Sequence, residues 1–385
     1  RRGRPAGRGG IGDPRPTGPN ILPDMALSFD LQPNPQPASE ADVARVHANP
    51  GFGVHFTDHM ATATWTKGQG WHDASVSAYA PLQLDPASAV FHYAQEIFEG
   101  LKAYRHADGS VWLFRPEMNA RRMVQSAKRL CLPELPEEDF LASIEALVKA
   151  DERWVPSADG GEESLYLRPF MIAHENFLGV RAAQNVLYCV IASPVGTYFA
   201  EGVHPIDIWV TDEYSRAGIG GTGAAKCGGN YASSLIAQYE GYDQGCSQVL
   251  FIQQTVERVD ELGGMNVFLV TREGGLVTPA LEGTILHGVT RDSILAVGRS
   301  LGLPVEERRI GASELFDGIT SGEFVEAFCC GTAAVISPIQ LFKSKHGVYS
   351  LPEGAGALTM KLRDAITDIQ FGRAEDTFGW LRRIA

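Results

Sequence analysis

The feature that most constrains the fold is a break between two long stretches of mixed strand and helix patterns. A continuous apolar run from Val186 to Ala192 predicts a buried strand, and Ser193-Pro194-Val195-Gly196 follows it directly. Proline and glycine interrupt regular structure. Because strands and helices are predicted on both sides, we expect a two-domain α/β (α+β) protein whose cleft is a natural place for a small-molecule site.

The break divides the 385 residues into domains of ordinary size. We predict a small N-terminal domain over 25–193, a linker over 194–204 and a large C-terminal domain over 205–385. Residues 1–24 contain five arginines and almost no apolar periodicity. A transit peptide would be Arg-rich but also amphipathic, so we expect a disordered tail or a vector-derived remnant there.

Apolar spacing predicts the individual elements. Phe140, Ile144, Leu147 and Val148 recur at helical spacing after an acidic start, which predicts a helix with one buried stripe. Further strands are predicted at 206–210, 248–252, 266–271 and 324–330, and further helices at 231–239, 290–301 and 358–370.

Charge and cysteine usage exclude several classes of partner. The formal net charge of −13 argues against a nucleic-acid or anionic-membrane partner, since both need a basic surface. No apolar run approaches the ~20 residues of a membrane helix. The six cysteines form no CxxC pair and no metal-type spacing, which favours a reduced, cytoplasmic setting without a metal.

The densest signal is a glycine-rich segment around one lysine, Gly218-Ile-Gly-Gly-Thr-Gly-Ala-Ala-Lys226-Cys-Gly-Gly-Asn-Tyr231. Its Gly-x-Gly-x-x-Gly spacing resembles a dinucleotide fingerprint, but that fingerprint opens a helix directly after a strand. Here the predicted strand ends near Thr211 and the helix is not expected before Tyr231. A P-loop is also excluded, because Ala225 and Cys227 replace its glycine and its magnesium-binding hydroxyl.

A lysine in a loop is usually solvated. However, eight of the ten residues from Gly220 to Gly229 are Gly, Ala or Thr, which allows a bulky flat molecule to approach the backbone. A desolvated lysine amine also has a lowered pKa and is a better nucleophile toward a carbonyl cofactor. Lys226 is therefore the candidate nucleophile.

The segment around Lys226 resembles the cofactor-lysine segment of branched-chain aminotransferases. These are fold-type IV pyridoxal-phosphate enzymes, a group that includes D-amino-acid aminotransferase and aminodeoxychorismate lyase. The similarity begins near Gly51 and covers most of the chain. Other matching segments are Phe56-Thr-Asp-His-Met60, His92-Tyr93-x-x-x-x-Phe98-Glu-Gly100, Leu113-Phe-Arg-Pro116, Ser164-Leu-Tyr-Leu-Arg-Pro169, Glu261-x-Gly-Gly-Met-Asn266, Pro279, Gly288-Val-Thr-Arg291 and Gly331-Thr-Ala-Ala334.

The resemblance implies that pyridoxal 5'-phosphate is the cofactor and lies between the domains. Glu261 is implied as the partner of the ring nitrogen; without the resemblance it is a rim charge, with Glu257 and Asp260 as equal candidates. Arg122, otherwise a residue of a solvated helix face, is implied in phosphate binding. The implied cofactor-binding set is Lys226, Arg122, Tyr231, Glu261, Val289, Thr290 and Thr332. Val289 and Thr290 open a predicted helix, whose N-terminal N–H groups bind anions.

The resemblance also implies a pocket that accepts an aliphatic side chain and the carboxylate of glutamate in turn. Arg168 is implied as the partner of that carboxylate, and Ala333 and Ala334 as N–H donors to the substrate α-carboxylate. Leu178 and Val180 match a loop that reaches into a neighbouring subunit, which implies a homodimer. Aromatic side chains, otherwise core packing, are implied for the wall: Phe52, Tyr93, Phe98, Tyr166 and Tyr198.

The expected activity is reversible transfer of an amino group between leucine, isoleucine or valine and 2-oxoglutarate. Two alternatives are a D-amino-acid aminotransferase or lyase of the same fold, and a cofactor-free scaffold protein. The first group lacks the Gly-Gly-Asn-Tyr and Gly-Gly-Met-Asn segments that this chain carries. The joint presence of Lys226, Glu261 and Arg122 speaks against the second.

Overall fold

The computed structural model describes residues 26–157, 161–196 and 203–385. Within these ranges the strands form two mixed sheets of nine strands each, with helices packed on their faces. The tail predicted over residues 1–24 lies outside the described residues. None of the helices in the described ranges has both the length and the apolar content needed to cross a membrane.

The first sheet comes almost entirely from the first half of the chain. Its strands are β1 (Asp30–Leu31), β2 (His59–Thr66), β3 (Gly70–Ala78), β4 (Glu96–Phe98), β5 (Leu101–Arg105), β6 (Val111–Phe114), β7 (Ser164–Ala173), β8 (Asn185–Val195) and β18 (Leu381–Arg383). They lie in the order β1-β3-β2-β8-β7-β5-β6-β18, and β4 pairs with β7. The last strand of the chain thus returns to the first sheet.

Four helices accompany this sheet: α1 (Glu40–Ala48), α2 (Ala89–Tyr93), α3 (Pro116–Arg129) and α4 (Glu137–Ala150). The apolar stripe predicted for α4 is confirmed, because Phe140, Ile144, Leu147 and Val148 are all buried in the core of this half. The acidic residues 137–139 at the start of α4 complement the positive end of its dipole.

The second sheet contains β9 (Ile206–Thr211), β10 (Gln248–Gln253), β11 (Arg258–Leu262), β12 (Asn266–Thr271), β13 (Leu276–Pro279), β14 (Val305–Arg308), β15 (Phe324–Gly331), β16 (Val335–Ser344) and β17 (Gly347–Ser350). Its order is β11-β10-β9-β16-β15-β12-β13-β14, and β17 pairs with β16. The helices of this half are α5 (Gly228–Asp243), α6 (Val289–Ser300), α7 (Ala312–Ser321) and α8 (Ala357–Gln370).

Both faces of the second sheet are covered, as its central strand shows. In β12, Val267 and Leu269 belong to a core that includes α7, whereas Phe268 and Val270 belong to another that includes α6 and α8. Successive side chains of a strand point to opposite faces, so a continuous apolar run marks a strand buried on both sides. The four strands predicted after residue 205 are confirmed as β9, β10, β12 and β15.

Two predicted boundaries are wrong. Strand β8 continues to Val195, with Pro194 opposite Leu165 of β7, so the linker predicted from residue 194 begins too early. Beyond Val190 the strand β8 pairs with β7 only. A proline without an N–H is therefore tolerated there, as on an edge strand.

Helix α5 begins at Gly228, three residues before the predicted Tyr231, and Glu96 accepts a hydrogen bond from the Gly228 N–H at this terminus. A contact from a distant strand thus overrides the low helix propensity of glycine. The loop 212–227 still separates β9 from α5, unlike a dinucleotide-binding turn. The division into domains 25–193 and 205–385 stays a prediction. Strand β18 belongs to the first sheet, so the two sheets do not coincide fully with the two predicted domains.

Candidate active site

Lys226 lies at the end of the loop 212–227, and its backbone is fixed by contacts from the first half of the chain. Its N–H donates to Ser126 Oγ at 2.9 Å, and its carbonyl accepts from the Phe98 N–H at 3.0 Å. The side-chain amine donates to the Tyr231 hydroxyl at 2.7 Å and lies 4.7 Å from the centre of the Phe98 ring. The amine is therefore held at a defined position between the two sheets.

Two cavities meet at Lys226. The larger, of about 270 Å³, is lined by residues of both halves: Phe52, Phe98, Gly100, Tyr166, Arg168, Lys226, Tyr231, Gln248, Gly264, Met265, Gly331, Thr332, Ala333 and Ala334. The smaller, of about 40 Å³, is lined by Arg122, Lys226, Glu261, Gly264, Met265, Asn266, Leu286, Gly288, Val289, Thr290, Cys330, Gly331 and Thr332. Most of the residues predicted from sequence are thus brought together around one amine.

Glu261 is a buried carboxylate on β11, so the interpretation of a rim charge is wrong. Only 3% of the residue is exposed. It pairs with Arg216 at 2.5 Å and accepts from the Asn266 amide and the Leu286 N–H, both at 2.9 Å. Desolvation raises the pKa of Glu261 to about 7, and the Arg216 charge opposes that rise.

The two alternatives to Glu261 lie elsewhere. Glu257 is exposed, and Asp260 accepts hydrogen bonds from Arg258 at 3.2 Å and from the Thr284 hydroxyl at 3.0 Å. Adjacent residues of a strand point to opposite faces, so Asp260 and Glu261 cannot both face one cavity. Glu261 is the one of the three that lines the smaller cavity.

Arg122 is a buried residue that also lines the smaller cavity, so a solvated helix face is the wrong interpretation of its setting as well. Two of its nitrogens form a bidentate pair with Glu99 at 2.8 and 2.7 Å, and a third donates to the His287 carbonyl at 3.0 Å. A guanidinium has five N–H donors. Two donors thus remain for an anion in the cavity.

The first turn of α6 faces the same cavity. A Cβ on Gly288, the residue before the helix, would lie 2.1 Å from the Asn266 side-chain oxygen, so only glycine fits there. Val289 and Thr290 begin the helix, where backbone N–H groups have no partner within the helix. Helix terminus and Arg122 together form an anion site.

In the larger cavity, one guanidinium lies among aromatic rings. Arg168 donates to the Tyr166 hydroxyl at 3.0 Å, and its central carbon lies 4.8 Å from the centre of the Phe98 ring. The Phe52 and Tyr166 rings are 5.3 Å apart. Within the described residues the buried Nε of Arg168 has no hydrogen-bond partner. Besides Lys226, this cavity therefore offers apolar walls and a guanidinium with spare donor capacity.

The turn between β15 and β16 closes the larger cavity. Ala333 and Ala334 line it, and the Thr332 hydroxyl donates to the Gly100 carbonyl at 3.3 Å. The predicted residues of this turn are thus brought to Lys226.

Three predicted residues that the structure describes are not brought into this site. Tyr93 lines neither cavity, because its hydroxyl donates to the carbonyl of Leu178 in the 174–184 loop; its placement in this chain's own aromatic wall is a correction. Leu178 and Val180 are 66% and 88% exposed and lie outside both cavities. Tyr198 lies outside the described residues.

Sequence reasoning missed the residues that hold the predicted ones in place. Arg216 pairs with Glu261, Glu99 with Arg122, and Ser126 accepts from the Lys226 backbone. Glu99 and Asn266 stand inside segments that carried the resemblance, and that was a signal. Arg216 and Ser126 carry no such mark, since their roles depend on tertiary contacts.

The side chains around the two adjoining cavities suit a flat cofactor that carries an anionic group. Arg122 and the α6 terminus suit the anion, the buried Glu261 suits a protonated ring nitrogen, and Lys226 lines both cavities. These are the features of an enzyme that carries pyridoxal phosphate on a lysine.

Comparison with known proteins agrees with this class. The family model for amino-transferase class IV matches residues 96–342, which include Lys226, Glu261 and Arg122. The chain belongs to the class IV aminotransferase family and is a pyridoxal-phosphate-dependent transaminase.

Similar proteins are also known individually. The chain is 51% identical over 363 residues to the branched-chain-amino-acid aminotransferase of Mycolicibacterium smegmatis, covering 93% of this chain and 98% of that relative. A norvaline complex of the branched-chain aminotransferase of Thermoproteus uzoniensis is 26% identical, with a TM-score of 0.69 and coverage of 84% and 100%. The crystal structure of the branched-chain amino acid aminotransferase of Escherichia coli is 25% identical, with a TM-score of 0.70 and coverage of 84% and 100%.

Proposed function

We propose that this chain is a branched-chain amino acid aminotransferase. It moves an amino group reversibly between leucine, isoleucine or valine and 2-oxoglutarate, the last step in making these amino acids and the first in degrading them. The observation that carries the proposal is the larger cavity, whose aromatic wall surrounds the single guanidinium of Arg168. The relative that is 51% identical bears the same activity in its name.

When bound, pyridoxal phosphate supplies an electron sink for the bond that breaks at the substrate α-carbon. Lys226 would carry the cofactor, Tyr231 would donate to its phenolic oxygen, and Glu261 would pair with its ring nitrogen. Arg122, Val289, Thr290 and Thr332 would bind its phosphate. The support for these roles is the lining of the smaller cavity and its charges.

The Lys226 amine removes the proton from the α-carbon of the donor amino acid in one half-reaction and gives a proton to the α-carbon of the amino acid that forms in the other, acting as general base and then as general acid. The rings of Phe98 and Tyr231, at 4.7 and 5.2 Å from this amine, restrict where it can move. Positioning of this kind contributes much of the rate in proton transfer.

Two unlike side chains occupy the larger cavity in turn. Leucine places an aliphatic group against Phe98 and Tyr166, with no charge to satisfy. Glutamate brings a carboxylate, which needs a partner when it leaves water, and Arg168 with its unpaired Nε supplies one. Ala333 and Ala334 offer N–H groups to the α-carboxylate that both substrates share.

We also propose that the chain works as a homodimer in the cytoplasm. Tyr93, Leu178 and Val180 group together on the surface, where large apolar side chains mark interaction sites. They are assigned to the substrate pocket of the partner subunit. A reduced compartment suits the six cysteines, which are free in the described structure.

The test is a panel of separate half-reactions with L-leucine, L-isoleucine, L-valine, L-glutamate and a set of D-amino acids. Conversion of the cofactor to its amino form is followed by absorbance. We expect reaction with the three branched L-amino acids and with L-glutamate. Reaction confined to D-amino acids would replace the proposal with the D-amino-acid aminotransferase alternative.

A further inference from the structure

One buried lysine outside the predicted site contacts the turn that closes the larger cavity. Lys102 lies on β5 with only 6% of the residue exposed, and its amine donates to the Ala333 carbonyl at 2.9 Å. Burial lowers the pKa of this amine to about 8; the nearby charge of Glu162 opposes the shift and that of Arg363 adds to it. Burying an ammonium group is costly unless it is well bound.

The turn itself has a conformation that needs outside support. Strand β15 ends at Gly331 and β16 begins at Val335, and these two residues pair across the hairpin. Val335 has φ of +58°, a left-handed conformation that is a genuine outlier for a β-branched residue. Contacts from the first half of the chain hold the turn in place: the Lys102 amine donates to the Ala333 carbonyl, and the Gly100 carbonyl accepts from the Thr332 hydroxyl.

The geometry of the peptide bond allows the contact between Lys102 and Ala333 to affect the cavity. The carbonyl of Ala333 and the N–H of Ala334 belong to one planar peptide unit, in which they point in opposite directions. Lys102 binds the carbonyl, and Ala334 lines the cavity. No backbone carbonyl of the described chain accepts from the Ala334 N–H. A positive charge on the carbonyl also polarises the peptide and strengthens its N–H as a donor.

We infer that Lys102 is a positioning residue that aims and polarises the Ala333–Ala334 peptide, so that the Ala334 N–H binds the α-carboxylate of the substrate. The inference rests on the proposed function of the cavity. It assigns to Lys102 an effect that Arg168 does not have. The α-carboxylate is common to leucine and glutamate, so Lys102 acts on both, whereas Arg168 acts on the glutamate side chain alone.

The experiment compares Lys102→Met, Lys102→Gln and Lys102→Arg in the holoenzyme, measuring each half-reaction under single-turnover conditions. Losing a charge-assisted interaction predicts a rise of roughly 10-fold or more in the KM for leucine and for glutamate alike. We expect the limiting rate of each half-reaction and the cofactor absorbance to change less than about threefold, because the substitutions leave Lys226 and Glu261 in place. Lys102→Arg keeps a charged donor and should retain most of the affinity.

The matched control is Lys343→Met. Lys343 also donates to a backbone carbonyl at 2.9 Å, that of Gln244, on an exposed surface away from both cavities. Its removal should leave both KM values unchanged. Lys102→Gln introduces a neutral side chain that tolerates a polar neighbour, so the test does not depend on the methionine variant folding.

An unchanged KM in Lys102→Gln, or a rise for glutamate only, would overturn the role of Lys102. A parallel loss of cofactor absorbance and limiting rate would also overturn it, because it would indicate a general structural role. A wild type that accepts none of leucine, isoleucine and valine would refute the proposed function instead. The comparison of Lys102 variants would then still be made with whichever α-amino acid the enzyme accepts.

Discussion

The two cavities that meet at Lys226 differ in how their charged side chains are paired. In the smaller one, Glu261 is paired with Arg216 and Arg122 with Glu99, all buried. In the larger one, Arg168 donates to the neutral Tyr166 hydroxyl, and its Nε lacks a hydrogen bond within the described residues. The buried charges of the smaller cavity are thus paired with opposite charges of the protein, although Arg122 keeps two free donors, whereas Arg168 contacts a neutral group.

The difference corresponds to how long each occupant stays. A cofactor that remains through many turnovers benefits from groups that are already oriented, because no reorganisation is then needed during reaction. A pocket that holds leucine and glutamate in turn needs an Arg168 guanidinium without a permanent carboxylate partner, because such a partner would occupy the donors that glutamate needs. Four predictions test this contrast, beginning with Lys226, which lines both cavities.

Lys226→Ala should lower turnover by about 10³-fold or more, within the range that general acid–base groups contribute. Both half-reactions should slow together, because the same Lys226 amine moves the proton in each of them. Stopped-flow measurement with leucine and with glutamate checks this. Borohydride treatment of the wild type followed by peptide mapping should find the cofactor on Lys226, and a label on any other lysine would refute the assignment.

Glu261→Gln should lower turnover by at least ~100-fold, the lower end of the cost of a lost electrostatic contact in a transition state. Cofactor binding should be largely retained, since Arg122 and the α6 terminus are unchanged. Steady-state turnover at saturating cofactor is the measurement. Asp260→Asn is the matched control, and a comparable loss there with normal turnover in Glu261→Gln would transfer the role to Asp260.

Arg168→Gln should reduce the specificity constant for glutamate and 2-oxoglutarate by roughly 30-fold or more, since the lost pair contributes about 2–4 kcal/mol. The value for leucine should change little. Separate half-reactions give both values. Arg373→Gln, which removes an exposed arginine paired with Asp368, is the control. Equal losses for leucine and glutamate, with reduced thermal stability, would make Arg168 a structural residue.

The smallest expected effect concerns pH and the stability of the cofactor-free protein. The pKa of Glu261 is raised from 4.5 to about 7 on folding, so between these values the folded state binds a proton that the unfolded state does not. The contribution of Glu261 to the free energy of unfolding is therefore fully present below pH ~4.5 and is lost as the pH rises through about 7. The loss amounts to about 3 kcal/mol.

The Tm of the wild type, relative to Glu261→Gln, should thus fall by a few degrees over that pH range. The difference between the two proteins is the relevant quantity, because other carboxyls such as Asp58 and Glu307 have lowered pKa values and act in the opposite direction. A constant difference in Tm would show that Glu261 stays charged when the cofactor is absent.

Much of this architecture could be predicted from sequence where the signal was local. The stripe of α4 and the apolar run of β12 identify their elements because periodicity follows directly from backbone geometry. The end of β8 and the start of α5 were misjudged because each depends on a neighbour, namely the absence of β2 beside Pro194 and the carboxylate of Glu96 at Gly228.

The candidate site shows the same limit. Sequence spacing alone could not distinguish Glu261 from Asp260. The choice depends on which face of β11 is turned toward the cavity, and that is known only from the structure. Arg216 had no local signal at all, because its pairing with Glu261 is created by the packing of the loop 212–227 against β11. The predicted site residues came from the lysine segment and from the resemblance, whereas Arg216 and Ser126 could be found only in the structure.

The return of β18 to the first sheet has a mechanical consequence. The chain passes between the sheets once from β8 to β9 and again from α8 to β18, which pairs with β6. Two bodies joined by one segment can swing apart about it, whereas two tethers at separate points resist such opening. We therefore expect substrates and products to be exchanged through movements of turns and side chains at the mouth of the cavity, while the walls stay in place. Deleting Leu381–Arg383 would release one tether and expose β6 as an unpaired edge that is prone to aggregation.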